Sequence, residues 1–170
     1  LVSLGLLFGL SGCVSKSIKM MDVSQERLKN TPESVKHDVL HISQNDGYSC
    51  ATTSTAMAIS YYEKLPFPIS KNTAWDISGT RIDAVTRYGN DMNGLKKIAD
   101  HYRYKSEYAN NLSIETLEYL LSKNVLVVLN IKAKDQGPGS HAVLATGYSK
   151  PDSKIYISDP DGRIKEFDYK

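Results

Sequence analysis

The sequence predicts one α+β domain: a helical lobe built round a single long, buried helix that packs on an antiparallel sheet. Three observations carry this. Residues 51–64 contain no Gly or Pro and repeat small side chains four apart, the pattern of a helix that packs closely. Residues 125–158 hold three apolar or alternating runs separated by turn residues, the pattern of consecutive strands. At 170 residues, 41% hydrophobic and 24% charged, the chain can bury one core and is too short for two.

The first ten residues, LVSLGLLFGL, are apolar and uncharged, too short to span a bilayer and of the right size for the apolar region of a signal peptide. They are expected to stand outside the fold. Leu10-Ser11-Gly12-Cys13 follows and resembles a bacterial lipobox, in which the cysteine thiol receives the lipid. The division expected is a lipoprotein signal peptide over 1–13, a polar tether over 14–38 and the globular domain over 39–170. Val14 in place of Asp after Cys13 fits the outer membrane, facing the periplasm, if the cell is Gram-negative.

Lipidation of Cys13 leaves Cys50 as the other cysteine of the chain, a lone thiol with nothing to pair with in an oxidising compartment. Gln44-Asn45-Asp46-Gly47-Tyr48-Ser49 reads as a loop, with Ser49 available as an N-cap. The helix then opens at Cys50. Unpaired N–H groups and the helix dipole at that position favour the thiolate, the form that does chemistry. Gln44, six residues upstream, can fold back so that its amide and the Cys50 N–H point at one spot, an oxyanion hole.

Residues 66–90 are rich in turn residues and include Trp75, Arg81 and Tyr88, which fit either a core or the wall of a cleft, with core favoured for Trp75. A helix follows over 92–102, with Leu95, Ile98, Ala99 and Tyr102 on one face and His101 beside it in a structural place. The second half gives an amphipathic helix over 113–123, a buried strand over 125–131, and a loop over 132–140 with Gly137-Pro138-Gly139 suited to a mobile rim. A strand HAVLATGY over 141–148 and a strand KIYIS over 154–158 complete it, ahead of Asp159-Pro160. Centring the last hairpin on Lys150 sets Val143 against Ile157, Ala145 against Ile155 and His141 against Asp159, with opposed Cβ atoms within about 5 Å. Asp159 would then hold one ring nitrogen of His141 and leave the other facing Cys50.

Gln-x5-Cys opening a helix resembles papain-like cysteine peptidases. The phrase QNDGYSCATTSTAMAISYY, with HAVLATGY and KIYISDP after it, looks most like the bacteriocin-processing, double-glycine peptidase-like family. The resemblance runs from about Val39 to Asp168 and implies a papain-like fold, with Cys50 as nucleophile, His141 as base, Asp159 as its orienter and Gln44 as oxyanion donor. Ala51 departs from the family pattern, which has glycine after the cysteine.

Other function classes fit poorly. The net charge of +2 arises from 21 basic and 19 acidic residues that are interspersed, without the basic run a nucleic-acid groove needs. His37, His41, His101 and His141 are scattered, and no metal-binding spacing occurs, so neither metal nor cofactor is expected. The expected partners are a peptide or protein substrate and, through the lipid, a membrane. Two alternatives stay open: a thiol acyltransferase, because a thioester can be resolved by an amine or thiol instead of water, and a non-catalytic peptide-binding or assembly lipoprotein that kept the fold. An NlpC-type enzyme fits less well, since the DCSG-like context is missing.

Overall fold

The computed structural model describes residues 4–9, 30–80, 92–132 and 140–169. Cys13, residues 14–29 of the tether, Arg81, Tyr88 and the 133–139 loop lie outside them. In chain order the strands are β1 (Leu4–Gly9), β2 (Ser34–Lys36), β3 (Lys105–Asn110), β4 (Leu126–Lys132), β5 (Ser140–Ser149), β6 (Lys154–Ser158) and β7 (Glu166–Asp168). The helices are α1 (Cys50–Glu63), α2 (Lys71–Ser78), α3 (Met92–His101) and α4 (Ile114–Ser122). They form the α+β, papain-like arrangement of a helical lobe on an antiparallel sheet, in the strand order β3-β1-β4-β5-β6-β7 with β2 also on β5.

Helix α1 is the centre of the helical lobe. Ten of its residues are buried, among them Thr52 to Ser60 without a break, because its small side chains allow close packing on several sides. Ser54 Oγ donates to the Ala142 carbonyl of β5 at 3.3 Å, so helix and strand touch through atoms next to Cys50 and His141. The helix ends at Lys64, which takes the left-handed conformation (φ 52°) of a C-cap. Met57, Ile59, Leu121, Leu126, Leu129, Leu144 and Ile155 carry the core between α1, α4 and the sheet. Strand β5 is buried from His141 to Ser149; since successive side chains point to opposite faces, both of its faces are covered.

Several expectations need correction. The run Leu4–Gly9 is not outside the fold: it pairs antiparallel with β3 on one edge and β4 on the other. An uncharged apolar run suits a strand hydrogen-bonded on both edges as well as it suits a signal peptide. Strands β3 and β4 consequently run parallel to each other on either side of β1, with α4 as their crossover. The tether is not free up to residue 38. Lys150 N–H donates to Glu33 O at 2.9 Å, Tyr148 Oη to Pro32 O at 2.8 Å and His37 N–H to Thr146 O at 2.8 Å, which docks the chain on β5 from Thr31 onward.

The β5–β6 register also differs. Leu144 faces Ser158, Ala145 faces Ile157 and Tyr148 faces Ile155, with an irregularity between Ala145 and Gly147. The turn is centred further on than Lys150, and the extra residue Thr146 bulges out of the ladder. His141 and Asp159 are thus diagonal neighbours, still within reach across adjacent strands. His101 is exposed with its ring edge-on to Tyr102 at 4.9 Å, not built into the core. Trp75 is half-buried on α2 and meets Tyr48 of the loop before Cys50 edge-on at 5.6 Å.

Candidate active site

Cys50 is the first residue of α1, where the sequence expects it. The expected cap differs: the Ser49 side chain makes no capping bond to the helix. Asp46 instead ties the loop ahead of the helix. Its Oδ1 accepts the N–H groups of Tyr48 at 3.0 Å and Ser49 at 2.8 Å, and its Oδ2 accepts the Ser49 hydroxyl at 2.8 Å. A carboxylate can gather two successive N–H groups and a hydroxyl at once, whereas Ser49 has one oxygen to offer. Lys71, the first residue of α2, reaches the same Oδ2 at 2.5 Å and also donates to the Gln44 carbonyl. Burial alone would raise the Asp46 carboxyl, but Lys71, the two N–H groups and the hydroxyl hold it below the usual carboxylate value. Asn45 completes the turn in the left-handed region (φ 54°), which asparagine tolerates.

Gln44 is buried, 4% exposed. Its Nε2 donates to the Asp46 carbonyl, while Oε1 is buried with no hydrogen-bond partner. That contact fixes which end is the amide nitrogen, since the reverse placement would set two oxygens against each other. Nε2 has a second proton, and Gln44 opens with Cys50 and His141 onto one cavity of about 670 Å³, completed by Asp46, Gly47, Asp161 and Arg163.

His141 and Asp159 are buried, at 3% and 2% exposed, and His141 Nε2 lies 2.6 Å from Asp159 Oδ1. Oδ1 also accepts the Asp161 N–H at 2.9 Å, and Oδ2 the Ile164 N–H at 2.9 Å, so the carboxylate is oriented by the turn that follows it. Burial raises the Asp159 carboxyl, yet the bonds from His141, Asp161 and Ile164 outweigh it and keep it below its usual value. The His141 ring lines the same cavity as the Cys50 side chain. Burial disfavours a charged ring, but the neighbouring Cys50 and Asp159 outweigh it and lift its pKa to about 9. A ring held between thiol sulfur and carboxylate can take the thiol proton and keep it as an imidazolium.

The structure therefore brings together Gln44, Cys50, His141 and Asp159. The remaining histidines are elsewhere: His37 Nε2 meets the Leu121 carbonyl at 2.9 Å, His41 Nδ1 lies 3.4 Å from Ser158 Oγ, and His101 is exposed on α3. His141, Asp159 and Asp161 present donor atoms within 4.8 Å of one another, a grouping the scattered histidine spacing does not foretell. These atoms are already engaged, however: Nε2–H donates to Asp159, Asp159 accepts two backbone N–H groups, and Asp161 Oδ2 accepts from Arg163. Asp46 and Lys71 are residues the sequence reading passed over. The available signal was an Asp two and three residues ahead of the N–H groups it binds, a usual local pattern.

A helix-borne cysteine and a strand-borne histidine on one cavity, with the carboxylate of Asp159 just past β6 bonded to that histidine, in this α+β arrangement, define a papain-like cysteine peptidase fold. The model of the Peptidase_C39 like family matches residues 36–169, and the chain belongs to that family. Membership supports a cysteine peptidase-like function. No curated protein and no solved structure matches the chain.

Proposed function

We propose that the protein is a thiol hydrolase that cleaves a peptide bond through Cys50, His141 and Asp159, with Gln44 as oxyanion donor. The observation that carries this reading is the buried His141 ring, bonded to Asp159 and sharing one cavity with Cys50 and Gln44. His141 takes the thiol proton, and the thiolate attacks the scissile carbonyl. The Gln44 amide and the Cys50 N–H receive the oxyanion, and His141 returns the proton to the leaving amine. Water then resolves the thioester; an amine or thiol in its place would make the same site an acyltransferase.

The test is alkylation of Cys50 by iodoacetamide across pH in wild type and His141→Ala. Fast reaction well below the ordinary thiol pKa of about 8.5 that disappears in the variant supports the reading, and a peptide-library screen then finds the substrate. Ordinary thiol behaviour in both proteins turns the domain into a binding module.

The envelope location is part of the same proposal: lipid on Cys13 holds the domain at the membrane of a bacterial envelope. Among the described residues no helix is long and apolar enough to cross a membrane. Processing at Cys13 would remove residues 1–12 and β1 with them, leaving the parallel β3 and β4 facing each other. Intact-mass analysis of the membrane-extracted protein decides this. A mature chain that starts at lipid-bearing Cys13 supports it, and one that retains Leu4–Gly9 overturns it.

A further inference from the structure

From the way Lys71 of α2 clasps both the carboxylate of Asp46 and the carbonyl of Gln44, we infer that Asp46 and Lys71 are a positioning pair for the oxyanion site. The inference rests on the peptidase reading and concerns residues that reading does not use. The loop from Gln44 to Cys50 must hold two donors in one geometry, the Gln44 amide and the N–H of Cys50. Asp46 shapes that loop from inside, by binding the N–H groups of Tyr48 and Ser49 and the Ser49 hydroxyl, and by receiving the Gln44 amide on its own carbonyl. Lys71 fixes it from outside, joining Asp46 Oδ2 and Gln44 O to a second helix.

A second observation concerns where Lys71 sits. It occupies the first position of α2, whose cap is Ser70, with Oγ accepting the Thr73 N–H at 3.1 Å. A cation there opposes the helix dipole, so α2 gains nothing from it. The side chain instead turns back across 25 residues of sequence to the loop that delivers Cys50. Both charged groups are largely sheltered, with side-chain exposures of 24% for Lys71 and 16% for Asp46, which limits screening by solvent.

The pair acts through the loop and touches no reacting atom. Its removal should therefore spoil oxyanion stabilisation and spare the thiolate. Two reagents separate these effects. Iodoacetamide needs only a thiolate, which displaces iodide. N-acetylglycine p-nitrophenyl ester needs the oxyanion site: an S–C bond forms to the carbonyl, charge develops on its oxygen, and the C–O bond breaks with p-nitrophenolate leaving.

Lys71→Met and Asp46→Asn are expected to lower the acylation rate of Cys50 about 10- to 100-fold, as a small misplacement of catalytic donors does. Alkylation by iodoacetamide should stay within about 3-fold of wild type. The double variant should lose no more than either single one. Lys71→Arg should restore acylation, since a guanidinium can hold the same two oxygens. Misfolded protein would lower both reagents together, and that parallel loss, like unchanged acylation, overturns the pairing while leaving the peptidase reading intact. If wild-type Cys50 itself alkylates no faster than in His141→Ala, the peptidase reading falls and the positioning role falls with it.

Discussion

The backbone N–H of Gln44 donates to the carbonyl of Pro160 at 3.0 Å. This bond joins the loop that leads to Cys50 to the turn that begins at Asp159, so the oxyanion donor and the orienting carboxylate share one support although 115 positions separate them in sequence. The Asp159 carbonyl meanwhile accepts the Gly162 N–H at 2.8 Å, which closes the turn on itself. Both halves of the candidate site are therefore held by backbone, independent of any side chain that does chemistry.

Asp159→Asn keeps the shape of the orienter and removes its charge. Turnover of a peptide or ester substrate should fall by about 10²- to 10⁴-fold. His141 sits at about 9 partly because of Asp159, so the alkaline limb of the pH–rate profile, where the imidazolium needed by the leaving amine is lost, should move to lower pH in the variant. Measuring kcat/KM from about pH 6 to about pH 10 checks both.

Stability should follow the same groups. His141 is raised from 6.5 to about 9 on folding, so its contribution is complete below 6.5 and is lost as pH rises toward 9. Asp159 is lowered from 3.8, so its contribution is present above 3.8 and is lost as pH falls through its folded value. Urea unfolding at a series of pH values should show both declines in wild type. The acid-side decline should be weaker in Asp159→Asn, which has no carboxyl to protonate at that position.

Gly147 is where β2 comes closest to β5. A Cβ there would meet the Val35 carbonyl oxygen at 2.2 Å and Lys36 Cα at 2.7 Å, both backbone atoms that cannot swing away. Gly147→Ala should push β2 off the sheet and cost about 1–3 kcal/mol in urea unfolding. Protease cutting ahead of His37 should increase at the same time.

Tyr62 Oη accepts the Leu126 N–H at 2.7 Å and donates to the Asn124 carbonyl at 3.1 Å. It thereby satisfies the first rung of β4 from the far end of α1. Tyr62→Phe should destabilise the fold by about 1–3 kcal/mol, since the buried N–H loses its acceptor, while alkylation of Cys50 stays unchanged. Equilibrium unfolding and the alkylation rate of one preparation give both numbers.

Much of the fold was legible. The helix from Cys50 could be read because no breaker interrupts it. The strands holding Val128, Val143 and Ile157 could be read because their cores are apolar and bounded by turn residues. What failed to show had little apolar signal: β3 and β7 are edge strands with mostly exposed or half-buried side chains, so they lack the alternation of a half-buried strand. The apolar run at Leu4–Gly9 had two readings of equal periodicity, and local sequence does not choose between them. At the site, Cys50, His141 and Gln44 were recoverable from loop, helix and strand order. Asp159 was found through a register that was itself wrong, because a diagonal contact tolerates a two-residue slip. Lys71 was hidden because its partner is set by tertiary packing, and Asp46 because it read, with Asn45 and Gly47, as ordinary turn chemistry.

The docking of Thr31 to His37 along the far half of β5 fixes more than a strand. Lys150 Nζ holds the Thr31 carbonyl at 3.0 Å and Tyr148 holds Pro32, seven residues along the strand from His141 and so about 23 Å away at ordinary strand rise. Chain arriving from before Asn30 therefore joins the domain at the pole opposite the cavity mouth.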